Sequence, residues 1–329
     1  MSSITLTSTR EMSREDWLKA RRAGIGGSDA AALVGMNPYS SPWAVWADKL
    51  GFLPEKEESE PIRLGNDLEP YVAKRFCEIS GLKVNRTNAI IGNQKYPFAL
   101  ANIDRKILGR HAGLECKTTS AWHVKEYKNG SFPDRFYAQC VHYLAVTGWD
   151  EWFLAVLVLG EGLHIYHMKR NEAAVTPPWC EGSVYVDNGE ICALMESEEA
   201  FWSNHVLTGI PPATDGEEAT TKAIRAFVGD ADDPGTKGLS CDISIRNYLA
   251  LKDQKKALEK EMERCKQSIL IDLGSAERGI CGSYSVSNTP TTRRSFDAAA
   301  FQRVFPTIDL SSFYKVTSST TFAIKEAKK

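Results

Sequence analysis

Asp104, Glu115 and Lys117 stand together in the stretch 99–119, ALANIDRKILGRHAGLECKTT, and their types suit one kind of chemistry. The stretch reads as two short strands, the first ending near Asp104 and the second running from about Gly113 to Thr119. Successive side chains of a strand alternate between faces, so Glu115 and Lys117 share one face while Leu114 and Cys116 take the other. Hard divalent cations bind carboxylate oxygens, and an adjacent ammonium can orient an attacking water or offset developing charge. The grouping therefore fits metal-assisted hydrolysis of a phosphodiester. A salt-bridge ladder on a surface hairpin uses the same residues.

A second chemical signal lies upstream, in EDWLKARRAGIGGSDAAALVG. A short helix around Trp17–Arg22 leads through a glycine-rich turn to a second helix starting near Ser28, with Ser28 as N-cap and Gly35 at its end. The turn offers backbone N–H groups and a hydroxyl to an anion, with Arg21 and Arg22 supplying charge. A capped helix after a flexible turn is the plainer account. The segment is not a P-loop, because no Gly-Lys-Ser/Thr follows.

Several elements must position these groups. SSPWAVWADKLG predicts a helix with Ser41 at the N-cap, Pro42 at the first position and Gly51 past the end; Trp43 and Trp46, one turn apart, suit either base stacking or a core. EKEESE reads as a solvated linker. A longer helix follows, with Leu68, Val72 and Phe76 as its apolar stripe and Gly81 as its stop; Glu69, beside that stripe, faces either a cleft or solvent. WHVKEYKNGSF reads as a loop carrying Trp122, Lys125 and Lys128. From Pro133 to about Thr147 the pattern is that of an amphipathic helix with Gln139 and Tyr143 on one face. EWFLAVLVLG has the continuous apolar character of a strand covered on both faces, and GLHIYHMKR follows as a strand of alternating polarity.

A helix over 190–207 and the pair Pro211–Pro212 close the core, which gives a first domain of 1–212. Residues 213–241 are polar and read as a linker or loop; 242–329 form a C-terminal extension. Within it, one long helix from Asp242 to about Gly274 places Tyr248, Leu251, Lys255, Leu258, Met262, Cys265 and Ile269 at alternating spacings of three and four. That seam should pack on a helix of its own domain or of a partner subunit. The tail reads as short strands around an Arg293–Arg294 loop, facing DNA or protein.

Composition sets the limits. With 329 residues, 43% hydrophobic and 25% charged, the chain has the make-up of a globular protein. A net charge of -2 excludes a broadly basic nucleic-acid binder but leaves room for a local basic channel. No apolar run approaches membrane-spanning length and the polar start carries no secretion signal, so the expected location is the cytoplasm of a bacterial host, with no membrane partner. The eight cysteines, at 77, 116, 140, 180, 192, 241, 265 and 281, include no C-x₂-C pair and read as small buried hydrophobes.

In order and spacing, RRAGIGGSDAAALVGMNPYSSPWAVWADKLG, LGNDLEPYVAKRF, ANIDRK, GLECKTTS and AQCVHYLAVTG resemble the YqaJ-type viral recombinases, phage alkaline exonucleases related to lambda exonuclease within the PD-(D/E)XK superfamily. The resemblance covers roughly 15–210. It implies an α/β restriction-endonuclease-like core with a central mixed sheet flanked by helices, to which the long C-terminal helix and small β module are added. It also implies Asp104, Glu115, Glu69 and the Cys116 carbonyl as metal ligands and Lys117 as the lysine that positions water. Gln139 would be the glutamine beside the site, and Arg21 and Ser28 the 5′-phosphate pair. Asn102 stands where the family often has a hydroxyl residue, and Arg105 where it often has glycine after the aspartate; the Asn102 amide can still donate to a phosphate oxygen.

The activity implied is a Mg²⁺-dependent 5′-to-3′ exonuclease on linear double-stranded DNA, with Mn²⁺ as a possible substitute, leaving 3′ single-stranded overhangs for recombination by annealing. Implied partners are duplex ends, two further copies in a homotrimer ring, and a single-strand annealing recombinase, all within a phage or prophage setting. An endonuclease or nickase on the same fold, and a non-catalytic DNA-end-binding module, are the competing readings.

Overall fold

The computed structural model describes residues 3–54, 59–172, 175–229, 236–310 and 313. In chain order the first part holds β1 (Ser3–Ser8), α1 (Arg14–Arg22), β2 (Ile25–Gly26), α2 (Gly27–Leu33), α3 (Pro42–Lys49), α4 (Glu60–Ser80), β3 (Val84–Arg86), β4 (Ala89–Asn93), β5 (Tyr96–Ala101), β6 (Arg105–Ile107) and β7 (Ala112–Thr119). It continues with α5 (Asp134–Thr147), β8 (Glu151–Val158), β9 (Gly162–Arg170), β10 (Gly182–Val186), α6 (Asn188–Phe201) and α7 (Glu218–Val228). Last come α8 (Asp242–Leu273), the hairpin strands β11 (Arg278–Cys281) and β12 (Tyr284–Ser287), and α9 (Ala298–Val304). The chain divides into two compact units, Met1–Asp230 and Ala231–Lys329.

The apolar run of β8 sits inside a mixed sheet of order β10-β9-β8-β7-β6-β3. It runs parallel to β7 over the whole length from Ala112↔Glu151 to Thr119↔Val158 and antiparallel to β9. Both faces are covered, which is why its sequence does not alternate. On one side Val72, Ala73 and Phe76 of α4 pack with Leu114, Cys116, Phe153 and Ala155; on the other, α5 packs with Trp152, Leu154 and Val156. The alternation thus puts Leu114 and Cys116 into the core under α4 and leaves Glu115, with Lys117 paired to it, on the face toward α5.

A second sheet, β1-β4-β5-β2, lies on the far side of α5. The sequence pattern did not separate it from the first. With a sheet on either side, α5 is buried without a break from Ala138 to Thr147, so it is not the amphipathic helix expected. β5 ends at Ala101, and Asp104 follows in a bend that leads into β6, so the carboxylate is not at a strand end. The hairpin partner of β7 is β6, through Arg105↔Leu114 and Lys106↔Gly113.

The linker, the domain boundary and the cysteines need correction here, while the tryptophan pair takes the core alternative. The segment 213–241 is not simply a linker: α7 inside it packs on α3, with Phe227 edge-on to Trp43 at 5.4 Å and to Phe52 at 5.5 Å. The first unit accordingly runs to Asp230, beyond Pro211–Pro212. Trp43 and Trp46 are buried against each other at 5.2 Å, which makes them core residues and not base-stacking ones. Of the eight cysteines, 192, 241, 265 and 281 are exposed.

The WHVKEYKNGSF loop contains a 3₁₀ turn, Ala121–Tyr127. Most of the EKEESE linker, 55–58, lies outside the described residues, as does nearly all of the expected strand over 313–324. In the second unit α8 has the predicted bounds and the seam residues Leu251, Leu258 and Met262 are exposed. α9 was not expected. Among the described residues, no helix is long and apolar enough to cross a membrane.

Candidate active site

The β6–β7 pairing stops at Leu114, and the next amide along that edge, Cys116 N–H, donates to Asp104 Oδ2 at 2.8 Å. A strand residue presents its N–H and C=O on the same edge, so the Cys116 carbonyl leaves β7 on the side where Asp104 sits. Across the face toward α5, Glu115 is 3% exposed. Its Oε1 accepts from Gln139 Nε2 at 2.6 Å and pairs with Lys117 Nζ at 2.6 Å. Gln139 Nε2 also donates to the Tyr143 hydroxyl at 3.0 Å, and that hydroxyl donates to the Asn102 carbonyl at 3.0 Å. Asp104, Glu115, Cys116, Lys117 and Gln139 therefore form one constellation, and Asn102 joins it through its backbone.

The electrostatics are those of two buried acids with one cation. Burial, then the neighbouring Glu115 charge, push the Asp104 carboxyl up to about 8, against the pull of Lys117 and the Cys116 N–H. For Lys117 burial works against the charged form, but Glu115 and Asp104 outweigh it and hold the ammonium above its ordinary value. Burial first, and then both carboxylates, raise the Tyr143 phenol well above its usual range, which keeps it a neutral donor.

The donor set fits a hard divalent cation. Glu115 Oε2 is buried with no hydrogen-bond partner among the described residues, an expensive state for a carboxylate oxygen unless a cation meets it. Asp104, Glu115 and the Cys116 carbonyl supply oxygens only, as Mg²⁺ or Mn²⁺ requires. Glu69, expected as a further ligand, lines the same cleft as Asp104 and is engaged there by two arginines. Its Oε1 accepts from Arg105 Nη1 and, at 3.0 Å, from Arg86 Nη2. Arg105 occupies the place where the resemblance leads one to expect glycine, and its nearly buried guanidinium needs a counter-charge. Among the described residues, no three His, Cys, Asp or Glu side chains gather as a metal-ligand group.

The second signal is also assembled. Arg21 Nη2 donates to Ser28 Oγ at 2.7 Å, and its guanidinium lies 5.2 Å from the Trp17 ring centroid. Ser28 is not the cap, however: α2 begins at Gly27, with Gly26 as N-cap, and Asp29 Oδ2 accepts the Gly26 N–H at 2.9 Å. Gly27 is required by contact, because a Cβ there would stand 2.7 Å from the Tyr143 ring, and this close approach brings α2 against the helix that carries Gln139. Trp17, whose ring lies beside the Arg21 guanidinium, lines one cleft with Asn102, Asp104, Glu69, Arg86 and Arg105.

Sequence reasoning missed the groups that hold these residues in place. Lys49 Nζ, almost fully buried, pairs with Asp29 Oδ2 at 2.6 Å and donates to the Arg21 carbonyl at 3.1 Å. Asp29 also faces Arg21 at 3.9 Å; burial works to raise its pKa, and Lys49 and Arg21 more than offset this and hold it low. Inside α5, His142 Nε2 donates to the Leu100 carbonyl at 3.0 Å while Nδ1 meets Glu198 at 2.8 Å. Burial opposes the charged imidazole, and the Glu198 carboxylate overcomes it and raises the pKa. No spacing rule connects these partners.

The profile of the YqaJ-like viral recombinase domain matches residues 16–150. The YqaJ protein of Bacillus subtilis (strain 168) is 33% identical over 326 residues, covering 98% of this chain and 97% of that one. The chain belongs to the YqaJ-like viral recombinase family. Among solved structures it is similar to the alkaline exonuclease LHK-Exo of Laribacter hongkongensis in complex with dAMP, with a TM-score of 0.47 and 17% identity over 60% of this chain and 94% of that one. It is also similar to a phage-related exonuclease of Haemophilus somnus 129PT, with a TM-score of 0.39 and 11% identity over 59% of this chain and 99% of that one.

Proposed function

We propose that this protein is a metal-dependent exonuclease that degrades linear double-stranded DNA from 5′ ends and leaves 3′ single-stranded overhangs for recombination by strand annealing. The observation that carries the reading is the Glu115 carboxylate, buried beside Asp104 with one oxygen unpartnered and Lys117 2.6 Å from the other. Asp104, Glu115 and the Cys116 carbonyl would hold Mg²⁺, or Mn²⁺ in its place, which when bound would supply acidified water and positive charge at the scissile phosphate. Lys117, 2.6 Å from Glu115 Oε1, would orient an attacking water and offset negative charge beside it. Gln139 fixes the Glu115 rotamer through Oε1, which leaves Oε2 free for the cation. Arg21 and Ser28 take the terminal 5′-phosphate, with Asn102 beside it in the cleft.

Glu69 serves as counter-ion to Arg105 and Arg86, which keeps those guanidiniums at the cleft wall where phosphates pass. A homotrimer ring would let a chain of net charge -2 confine its positive potential to a DNA channel. An annealing protein is the partner that would receive the 3′ strand.

Digestion with Mg²⁺ of linear duplexes with 5′-phosphate or 5′-hydroxyl ends, alongside a closed circle, tests the reading. Loss of the phosphorylated linear substrate alone, abolished by Lys117→Ala with DNA binding retained, is the expected result. Cutting of the circle would replace it with an endonuclease, and no Mg²⁺-dependent loss would leave a binding module.

A further inference from the structure

The site lysine also begins a row of alternating cations and rings that the hydrolytic constellation does not use. Lys117 Nζ lies 5.3 Å from the Phe136 ring centroid, and the Arg135 guanidinium lies 4.6 Å from the same centroid. Arg135 is also 5.4 Å from the ring of Tyr39, where the row ends at the surface with 69% of that residue exposed. Arg135 is steadied by Glu126 at 3.9 Å, on the 3₁₀ turn whose Trp122 is 93% exposed and whose Lys125 faces solvent. The backbone beneath Tyr39 is set as well, since Asn37 Oδ1 accepts the Tyr39 N–H at 3.0 Å.

A single exposed aromatic needs no explanation. Here one of the most exposed aromatic side chains in the first unit, Tyr39, lies against Arg135, and another, Trp122, stands on the turn whose Glu126 meets that arginine; neither contributes to the core. A guanidinium lying on a phenol orders the ring at little cost and adds charge beside it. Bases of any sequence stack on such rings, and the flanking cations meet the phosphates between them. Duplex DNA keeps its base faces stacked internally and cannot use the rings in this way.

We propose that Tyr39, backed by Arg135, and Trp122 form a stacking platform for single-stranded DNA that continues along Phe136 to Lys117. The strand so held would be the one entering or leaving the carboxylate site; that identity rests on the nuclease reading, while the binding itself does not. The chemistry favours unpaired nucleic acid over a protein partner because the row alternates rings with fixed cations.

The test is fluorescence anisotropy of a labelled oligothymidylate with the full-length chain in EDTA, next to a blunt duplex of equal length. Tyr39→Ala and Trp122→Ala should each weaken oligothymidylate binding roughly tenfold, with duplex binding changed less than about twofold. Tyr39→Phe should bind like the parent protein, and unchanged melting temperatures would show that the fold is intact. Unaltered oligothymidylate binding in Tyr39→Ala, equal loss on both ligands, or loss only of binding to an annealing protein would each overturn the proposal. No metal or cleavage enters the measurement, so failure of Mg²⁺-dependent digestion would remove the nuclease reading and leave this result to be judged separately.

Discussion

Gln139 Nε2 donates to Glu115 Oε1 at 2.6 Å, and this contact ties the buried centre of α5 to the strand that bears Glu115. It comes from one helix position facing one strand position, and it leaves Oε2 pointing into a buried space with no partner among the described residues. The site is therefore built at a cost to the fold, because two acids are held together where water cannot stabilise them.

That cost should be measurable. With its carboxyl pushed up to about 8, Asp104 must take up a proton to fold at neutral pH; Asp104→Asn keeps an oxygen for the Cys116 N–H without that cost, so in EDTA it should raise the melting temperature. A gain of about 1 kcal/mol corresponds to roughly 2–4 °C for a unit of this size. Mg²⁺ should raise the melting temperature of the parent protein but not of the variant, and the variant should not cleave. Calorimetry with and without Mg²⁺ checks this; a variant less stable than the parent in EDTA would contradict it.

Arg21→Ala and Ser28→Ala should each reduce digestion of 5′-phosphorylated ends while sparing 5′-hydroxyl ends. A hydrogen bond to a charged group contributes about 1.5–3 kcal/mol, roughly ten- to a hundredfold in rate. The ratio of initial rates on the two ends is the quantity to read. Asp29→Asn should act differently, by leaving the Lys49 ammonium buried without a counter-charge, and should cost about 3 kcal/mol in denaturant unfolding.

How much of this was legible depends on the range of the interaction. The sharing of a face by Glu115 and Lys117, the apolar run of β8, the Ser41 cap and the Gly81 stop are local, and periodicity or capping chemistry exposes them. The division of β5 from β6 was hidden because the bend at Asp104 carries no glycine or proline, and the strand on each side is short. The burial of α5 on all sides was hidden too, since it depends on a second sheet formed by distant segments. Glu69 illustrates the limit: its helix face was readable, but its partner depends on Arg105, brought near only by the β6–β7 hairpin.

Acid should weaken the six-stranded sheet through Glu151. Its carboxylate accepts from His167 Nε2 at 2.9 Å, and that hydrogen bond, against the opposing effect of burial, lowers its pKa below the ordinary 4.5. A carboxyl with a lower pKa folded than unfolded stabilises the fold above the unfolded value, and this is lost as pH falls through the folded value. The melting temperature of Glu151→Gln should therefore start lower at neutral pH and decline less steeply than that of the parent protein below 4.5. Parallel slopes would show that the pair does not carry the dependence.

Phe227 tests whether α7 belongs to the first unit. Its ring lies edge-on to Trp43 and Phe52 and 6.2 Å from Trp46, and nearby Ala223 and Thr220 are buried. Full burial of a phenylalanine is worth about 3–5 kcal/mol against alanine, and Phe227 is 44% exposed, so Phe227→Ala should cost about half of that. Because the contact is to tryptophans, the variant should also shift the emission spectrum of the folded protein. A stop after Gly229 should preserve the denaturant midpoint of the first unit, whereas a stop after Pro212 should lower it by more than the point substitution does. Equal midpoints for the two truncations would return the boundary to Pro211–Pro212.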